Sequence, residues 1–200
     1  MRAQRIPTVL NRKEVEWLIA IAEHDIETSE TEHERFNATR NVAILRLAFS
    51  TGLRIGEICN LNVDSIFPEE QRLKIVDGKF GNNDYQAIRK KETWGALEKY
   101  LPLRDTVEGK GPALFISFHG QRIQGRQFSR DLKRYALRAS ITKNVHPHCL
   151  RHSFLSEFYR VTKDIVATQK VARHKDISST MIYTHIYDQD IVDGLVQANL

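Results

Sequence analysis

The sequence predicts a mainly helical protein with one small antiparallel β-sheet, an α+β fold. Apolar residues recur every three or four positions through most of the 200 residues, which is the period of an amphipathic helix. Between Phe67 and Ile88 the pattern changes to an alternation of apolar and polar residues, which is typical of strands. The length is that of one domain, so we expect residues 1–200 to form a single domain.

The first helix is predicted from its N-terminal cap. Asn11 and Glu14 have the spacing of a capping box, in which each side chain bonds to the backbone of the other residue. Residues 1–10 precede this helix and are expected to form an extended lead-in. The polar, acidic stretch at 24–38 is expected to form a loop or a frayed turn.

The remaining elements follow from turn signals and apolar periodicity. A second helix is expected at about 39–50, ended by Gly52 in the left-handed conformation, and a third helix near Arg54. The residues Gly-Asn-Asn-Asp at 81–84 predict a turn between two strands of a hairpin or three-stranded sheet. Further helices are expected at 92–101, 126–139, 148–160, 163–172 and 178–187, with a short amphipathic tail helix at 188–200.

The charge distribution favours an anionic partner. The net charge is +5 and the pI about 9.2, so the protein has a mild overall preference for anionic partners. A run of basic residues spaced three or four apart would form one face of a helix, either a solvated surface or a phosphate-binding surface. The candidate phosphate contacts in this region are Arg122, Arg126, Arg130, Lys133 and Arg134.

The sequence also limits where the protein acts. Cys59 and Cys149 lie in apolar helical contexts and are predicted to be buried thiols in a reducing compartment. The N-terminal residues contain no signal peptide, and no stretch approaches the roughly 20 apolar residues of a membrane span. We therefore expect a soluble, cytoplasmic protein with no membrane partner.

The candidate chemistry begins with a pair on one helix. His148 and Arg151 are three residues apart, so they share a helical face. A guanidinium can bind two phosphate oxygens, and an imidazole can exchange a proton near neutral pH. The pair alone is weak evidence, because such pairs are common on helix surfaces.

Other segments add residues of matching chemistry. Arg54 lies in the segment Thr-Gly-Leu-Arg-Ile-Gly-Glu, Lys79 lies in the predicted hairpin, and His174 precedes Tyr183 by nine residues. In this order the Thr-Gly-Leu-Arg-x-x-Glu, His-x-x-Arg-His and His-x8-Tyr motifs resemble those of the tyrosine recombinases, or phage integrase family, which includes the Xer-type resolvases. The resemblance covers about residues 45–187.

The resemblance implies a role for each matching residue. Arg54 and Arg151 would bind the nonbridging oxygens of a DNA phosphate, and His174 would donate a hydrogen bond to it. Lys79 would be the general acid for the leaving 5′ oxygen, and His148 would assist proton transfer from a tyrosine. That tyrosine, Tyr183, would attack the phosphate and hold the 3′ end as an ester. The mechanism requires no metal and no other cofactor.

Several alternatives remain open on the sequence alone. Tyr187 is a second candidate nucleophile, although the spacing from His174 favours Tyr183. Lys74 and Lys90 compete with Lys79. The five histidines His146, His148, His152, His174 and His185 could suggest zinc, but their spacing does not match known zinc sites.

The chain departs from the family pattern at two places. The usual Leu-Gly before the second motif histidine is Ala172-Arg173 here, and Arg173 would add a positive charge near the phosphate as another candidate DNA contact. Family members also carry a separate core-binding domain before the catalytic one, for which this chain has no room.

The resemblance implies double-stranded DNA as the partner and site-specific recombination as the function. It also implies a tetramer on DNA, held together by the tail at 188–200, although the tail could equally fold back on its own domain. A type IB topoisomerase-like relaxing enzyme is the alternative activity, and an inactive DNA-binding relative is the alternative of another class.

Overall fold

The computed structural model describes residues 7–76, 83–174 and 176–184. Seven α-helices and three strands lie within these ranges. The helices are α1 (Arg12–Glu27), α2 (Glu32–Thr51), α3 (Ile55–Asn60), α4 (Lys91–Asp105), α5 (Gly125–Arg138), α6 (Pro147–Thr162) and α7 (Ile165–Ala172). Residues 178–184 are also helical. The predicted α+β class, mainly helical with a small antiparallel sheet, is confirmed.

The sheet has three antiparallel strands in the order β1-β2-β3. These strands are β1 (Ile66–Phe67), β2 (Arg72–Val76) and β3 (Asn83–Ala87). Lys74 lies opposite Tyr85, and the last registered pair is Val76 with Asn83. The predicted turn therefore falls partly outside the described residues, as does Lys79.

Helix α2 lies at the centre of the core and packs against α1, α4 and α6. Nearly every residue of α2 from Phe36 onward is buried, because helices surround it on several sides. The lead-in also contacts this assembly, since the backbone N–H of Leu10 donates to Ser153 Oγ of α6 at 2.8 Å. Cys59 and Cys149 are buried free thiols, as predicted.

A second, smaller apolar cluster lies beside the main core. Leu155 of α6, Ala172 of α7 and Tyr183 form it, with Phe154 packed against them. Tyr183 is thus held by the last described helical segments of the chain, away from the large core around α2.

The expected loop at 24–38 is wrong. Helix α1 continues to Glu27 and α2 already begins at Glu32. A capping box formed by Thr31 and Glu34 begins α2. Two of the acidic side chains that suggested a loop, Glu32 and Glu34, instead lie in the first turn of α2, where the positive end of the helix dipole favours them.

The predicted caps around the first two helices are confirmed. Asn11 and Glu14 form the expected capping box. Gly52 ends α2 with φ 65°, and its N–H donates to the carbonyl of Ala48 at 2.9 Å. A β-carbon at Gly52 would overlap the Phe154 ring. Glycine is therefore required there by both the backbone conformation and the close approach of α6.

We expect Gly52→Ala to destabilise the protein by about 3 kcal/mol, combining the left-handed backbone penalty with the overlap at Phe154. Gly109→Ala is the matched control, because Gly109 has φ 66° but open space around its missing β-carbon. The control should cost only about 1 kcal/mol. Urea unfolding measures both values, and equal losses would contradict the role given to Phe154.

Candidate active site

The site is built from the ends of helices. Arg54 lies two residues after the cap of α2 and immediately before α3. Arg151 is on the second turn of α6, and His174 follows the end of α7 by two residues. Tyr183 lies in the helical segment 178–184. Four of the six predicted catalytic residues thus belong to different elements that meet at one place.

Arg151 is the most buried cation of this group, with 3% of its surface exposed. Its Nη1 donates to the carbonyl of Gly52 at 2.8 Å, and its Nη2 donates to the carbonyl of Ala172. Burial lowers the pKa of Arg151 to about 10, and the charge of Arg54 adds to this effect. Arg151 is still protonated at neutral pH, so it carries a buried positive charge that joins the ends of α2 and α7.

Arg54 is anchored by Glu57. Its Nη1 donates to Glu57 Oε1 at 2.9 Å, and its backbone N–H donates to Glu57 Oε2 at 2.7 Å. Burial raises the pKa of Glu57, but Arg173 and the two Arg54 donors outweigh it, so the net pKa is lowered. Glu57 is therefore ionised and orients Arg54, whose side chain remains 42% exposed.

Tyr183 is buried, with its hydroxyl 3.0 Å from Nδ1 of His152. Burial raises the pKa of Tyr183 to about 12, while Arg151 and Arg54 act in the opposite direction. Burial also lowers the pKa of His152 to about 4, reinforced by His148 and Arg151. At neutral pH the Tyr183 hydroxyl is therefore protonated and the His152 imidazole is neutral, and the two groups share one hydrogen bond.

His174 is held in the neutral state by the same surroundings. Burial, together with the positive charges of Arg151, Arg54 and Arg173, lowers its pKa to about 4. Its Nδ1 hydrogen-bonds Thr180 Oγ1 at 2.9 Å, which orients the ring. The positive charges of these three arginines therefore converge near His174.

His152 is the functional residue that the sequence analysis missed. It directly follows Arg151 and lies four residues after His148, so helical spacing could have placed it on the face of His148. His148 itself is exposed at the start of α6, with its ring 6.2 Å from that of His146. The predicted role of His148 in proton transfer stays a prediction.

Two candidate residues fall outside the described residues: Lys79, the predicted general acid, and Tyr187, the alternative nucleophile. Lys79 lies between β2 and β3 in residues 77–82, and Tyr187 lies in 185–200. Of the competing lysines, Lys74 is on β2 and Lys90 precedes α4. The assignments of Lys79 as general acid and of Tyr183 over Tyr187 therefore stay predictions.

The predicted DNA contacts differ in their surroundings. Arg126, Arg130, Lys133 and Arg134 are all exposed on α5, opposite its buried residues. Arg122 is instead occupied by the turn after α3, donating to the carbonyls of Cys59 and Leu61 at 2.8 and 2.9 Å. Arg173 is bound by Glu57 and Gln86. Their roles in DNA binding stay predictions.

Residues 7–76, 83–174 and 176–184 offer neither a cluster of metal ligands nor a membrane span. Among them, no group of three or more His, Cys, Asp or Glu side chains could hold a metal ion. No helix in the described part of the chain is long and apolar enough to cross a membrane.

Comparison with known proteins identifies the family. Residues 8–190 match the Phage integrase family, so the chain belongs to the phage integrase family, the tyrosine recombinases. Tyrosine recombinase XerC of Alcanivorax borkumensis is 35% identical over 185 residues. That alignment covers 92% of this chain but 57% of the relative, so the chain spans a little over half the length of that protein.

Solved structures agree with this assignment. The crystal structure of XerA recombinase has a TM-score of 0.80 and 29% identity, covering 98% of this chain and 67% of that one. The XerH recombinase, solved with its difH substrate after cleavage, has a TM-score of 0.81, with 95% of this chain and 53% of that one covered. At 21% identity, the XerH comparison establishes the fold alone.

We expect stability to fall as the pH drops from about 6.5 towards 4. The folded-state pKa values of His152 and His174 are near 4, below the ordinary 6.5, so the unfolded chain binds these protons first. Solvent screening leaves about 1 kcal/mol per histidine. Urea unfolding at pH 7 and pH 5 measures the loss.

The double variant His152→Gln/His174→Gln should lose much of this pH dependence. His24→Gln, at an exposed position of α1, is the control and should leave it in place. An unchanged pH dependence in the double variant would show that other groups cause the loss.

Proposed function

We propose that this chain cleaves and rejoins DNA at a specific site through a covalent 3′-phosphotyrosine at Tyr183. The observation that carries the proposal is the Tyr183 hydroxyl, which contacts a neutral histidine within the field of Arg151 and Arg54. A nucleophile, a proton acceptor and cations for a phosphate therefore occur together. Membership of the tyrosine recombinase family supports this activity.

The chemistry is an exchange of one phosphodiester for another. Tyr183 Oη forms a bond to phosphorus while the bond from phosphorus to the 5′ oxygen breaks. The tyrosine proton passes to Nδ1 of His152, and Lys79 would protonate the departing 5′ oxygen. Arg54 and Arg151 stabilise the negative charge that grows on the nonbridging oxygens. Because the number of ester bonds is unchanged, rejoining needs no ATP.

The entry side of the site is defined by exposure. Arg54 and His148 are accessible to solvent, whereas Arg151 and Tyr183 are buried. A DNA phosphate would therefore first meet Arg54. The exposed basic side chains of α5 would contact neighbouring phosphates and add salt-sensitive affinity. They are Arg126, Arg130, Lys133 and Arg134.

The proposed partner is double-stranded DNA, and we propose a cytoplasmic location, as expected from the sequence. The XerH structure, which shares the fold, contains a DNA substrate. We further propose assembly of a tetramer on DNA through the tail at 188–200, a segment outside the described residues. Strand exchange between two duplexes would distinguish recombination from topoisomerase-like relaxation.

We expect covalent trapping to identify Tyr183. The protein is incubated with a nicked duplex library from its source genome, stopped with SDS, and assayed for protein–DNA adducts. Tyr183→Phe should abolish the adduct, because the nucleophilic oxygen is removed. Tyr85→Phe, at an exposed position of β3, should retain it. An adduct that survives in Tyr183→Phe but vanishes in Tyr187→Phe would identify Tyr187 as the nucleophile instead.

We expect His152→Leu to slow adduct formation about 100-fold, since it removes the proton acceptor of Tyr183. His152→Asn should lie between this variant and the wild type, because its amide oxygen can accept the hydrogen bond of Tyr183 and orient it but cannot take up the proton. The rate is measured on a duplex that the wild type cleaves. If adduct formation is slow in His148→Leu but within about twofold of the wild-type rate in His152→Leu, then His148 accepts the Tyr183 proton.

A further inference from the structure

Arg173 occupies a position between α7 and His174 that no step of the proposed chemistry uses. Its backbone is left-handed, with φ 52°, a conformation that favours glycine. The family pattern resembled by this chain has glycine at this place. Other residues here also adopt positive φ, among them Ser140, so the conformation alone is no argument for function. The side-chain contacts of Arg173 provide one.

The Arg173 guanidinium bridges a helix and a strand. Its Nη2 donates to Glu57 Oε2 of α3 at 2.8 Å, and its Nη1 donates to Gln86 Oε1 of β3 at 3.0 Å. Asp84, also on β3, lies 3.8 Å from its Nε. With only 16% of the side chain exposed, these charge-assisted contacts are partly shielded from water and from salt.

Each partner of Arg173 leads to a different part of the site. Glu57 is the carboxylate that anchors Arg54 through both its backbone and its guanidinium. Gln86 lies on β3, whose first residue pairs with the last residue of β2. Lys79 lies in the sequence between those two paired residues. Arg173 therefore connects Glu57, which anchors Arg54, to strand β3. This strand follows the candidate general acid, Lys79, in the sequence.

We propose that Arg173 is a positioning residue that fixes strand β3, and with it the Lys79 hairpin, relative to the phosphate site. This inference rests on the proposed function. The side chain acts through Glu57 and Gln86 and touches no reacting atom. Losing it would therefore impair protonation of the leaving 5′ oxygen more than attack by Tyr183.

A change of leaving group separates those two effects. The duplex recovered by covalent trapping with the wild type is synthesised twice, with oxygen or with sulfur as the 5′ bridging atom. When the phosphorus–sulfur bond breaks, sulfur leaves with the electron pair as a thiolate. A thiol has a pKa near 8.5, so its thiolate needs no general acid to leave. Cleavage of the sulfur duplex therefore bypasses Lys79.

The test variant is Arg173→Gly, which removes the side chain and suits the left-handed backbone. We expect adduct formation about tenfold slower on the oxygen duplex and within about twofold of wild type on the sulfur duplex. Lys79→Ala should show the same rescue by sulfur. Ser140→Gly is the matched control, since it relieves the same backbone conformation at the end of α5.

A double-mutant cycle tests the route through β3. Gln86→Leu removes the hydrogen-bond acceptor on β3. It should therefore slow adduct formation on the oxygen duplex, and the sulfur duplex should restore the rate. Combined with Arg173→Gly, it should add little further loss, because the two residues share one contact. Thermal unfolding of each variant, compared with the wild type, identifies any loss that comes from unfolding.

The outcomes separate the inference from the function on which it rests. Wild-type rates in folded Arg173→Gly on the oxygen duplex would overturn the inference alone. A defect of equal size on both duplexes would also overturn it, since Arg173 would then act on the attack step or on DNA binding. Absence of an adduct in the wild type would overturn the proposed function and the inference together.

Discussion

The buried guanidinium of Arg151 is the interaction on which the site depends. An arginine with 3% exposure carries a large desolvation cost unless its donors are satisfied. Two of them are satisfied by backbone carbonyls, those of Gly52 and Ala172. Carbonyls at helix ends need donors, so the same contacts stabilise α2 and α7. Because neither carbonyl carries a full negative charge, Arg151 keeps a positive charge available for a phosphate oxygen.

This arrangement sets the electrostatics of the neighbouring groups. The guanidiniums of Arg54, Arg151 and Arg173 lie near two carboxylates, those of Glu57 and Asp84, so positive charge is in excess. After burial itself, these cations lower the pKa of His174. A neutral histidine can accept a proton or a hydrogen bond, which a histidinium cannot. Burial and this positive field together keep the imidazole of His174 neutral, and in the proposed function the same field would attract the phosphate.

The features that the sequence predicted correctly are local ones. The cap at Asn11 and the left-handed end at Gly52 depend on residues within a few positions, so their chemistry is visible in the sequence. The strand alternation between Phe67 and Ile88 is local in the same sense. The error at 24–38 arose because acidic residues suit both a loop and the first turn of a helix, and the capping residue Thr31 decides in favour of the helix.

The sequence by itself determined the order of the motifs, and therefore the family and the residue types available for phosphate chemistry. Only the tertiary structure decided which of these side chains meet. His152 contacts Tyr183 across 31 positions, and Arg173 contacts Gln86 across 87. Such pairs have no periodic signal, because their spacing depends on how helix ends and a strand edge pack together. Burial, which shifts the pKa values of these groups, likewise arises only from that packing.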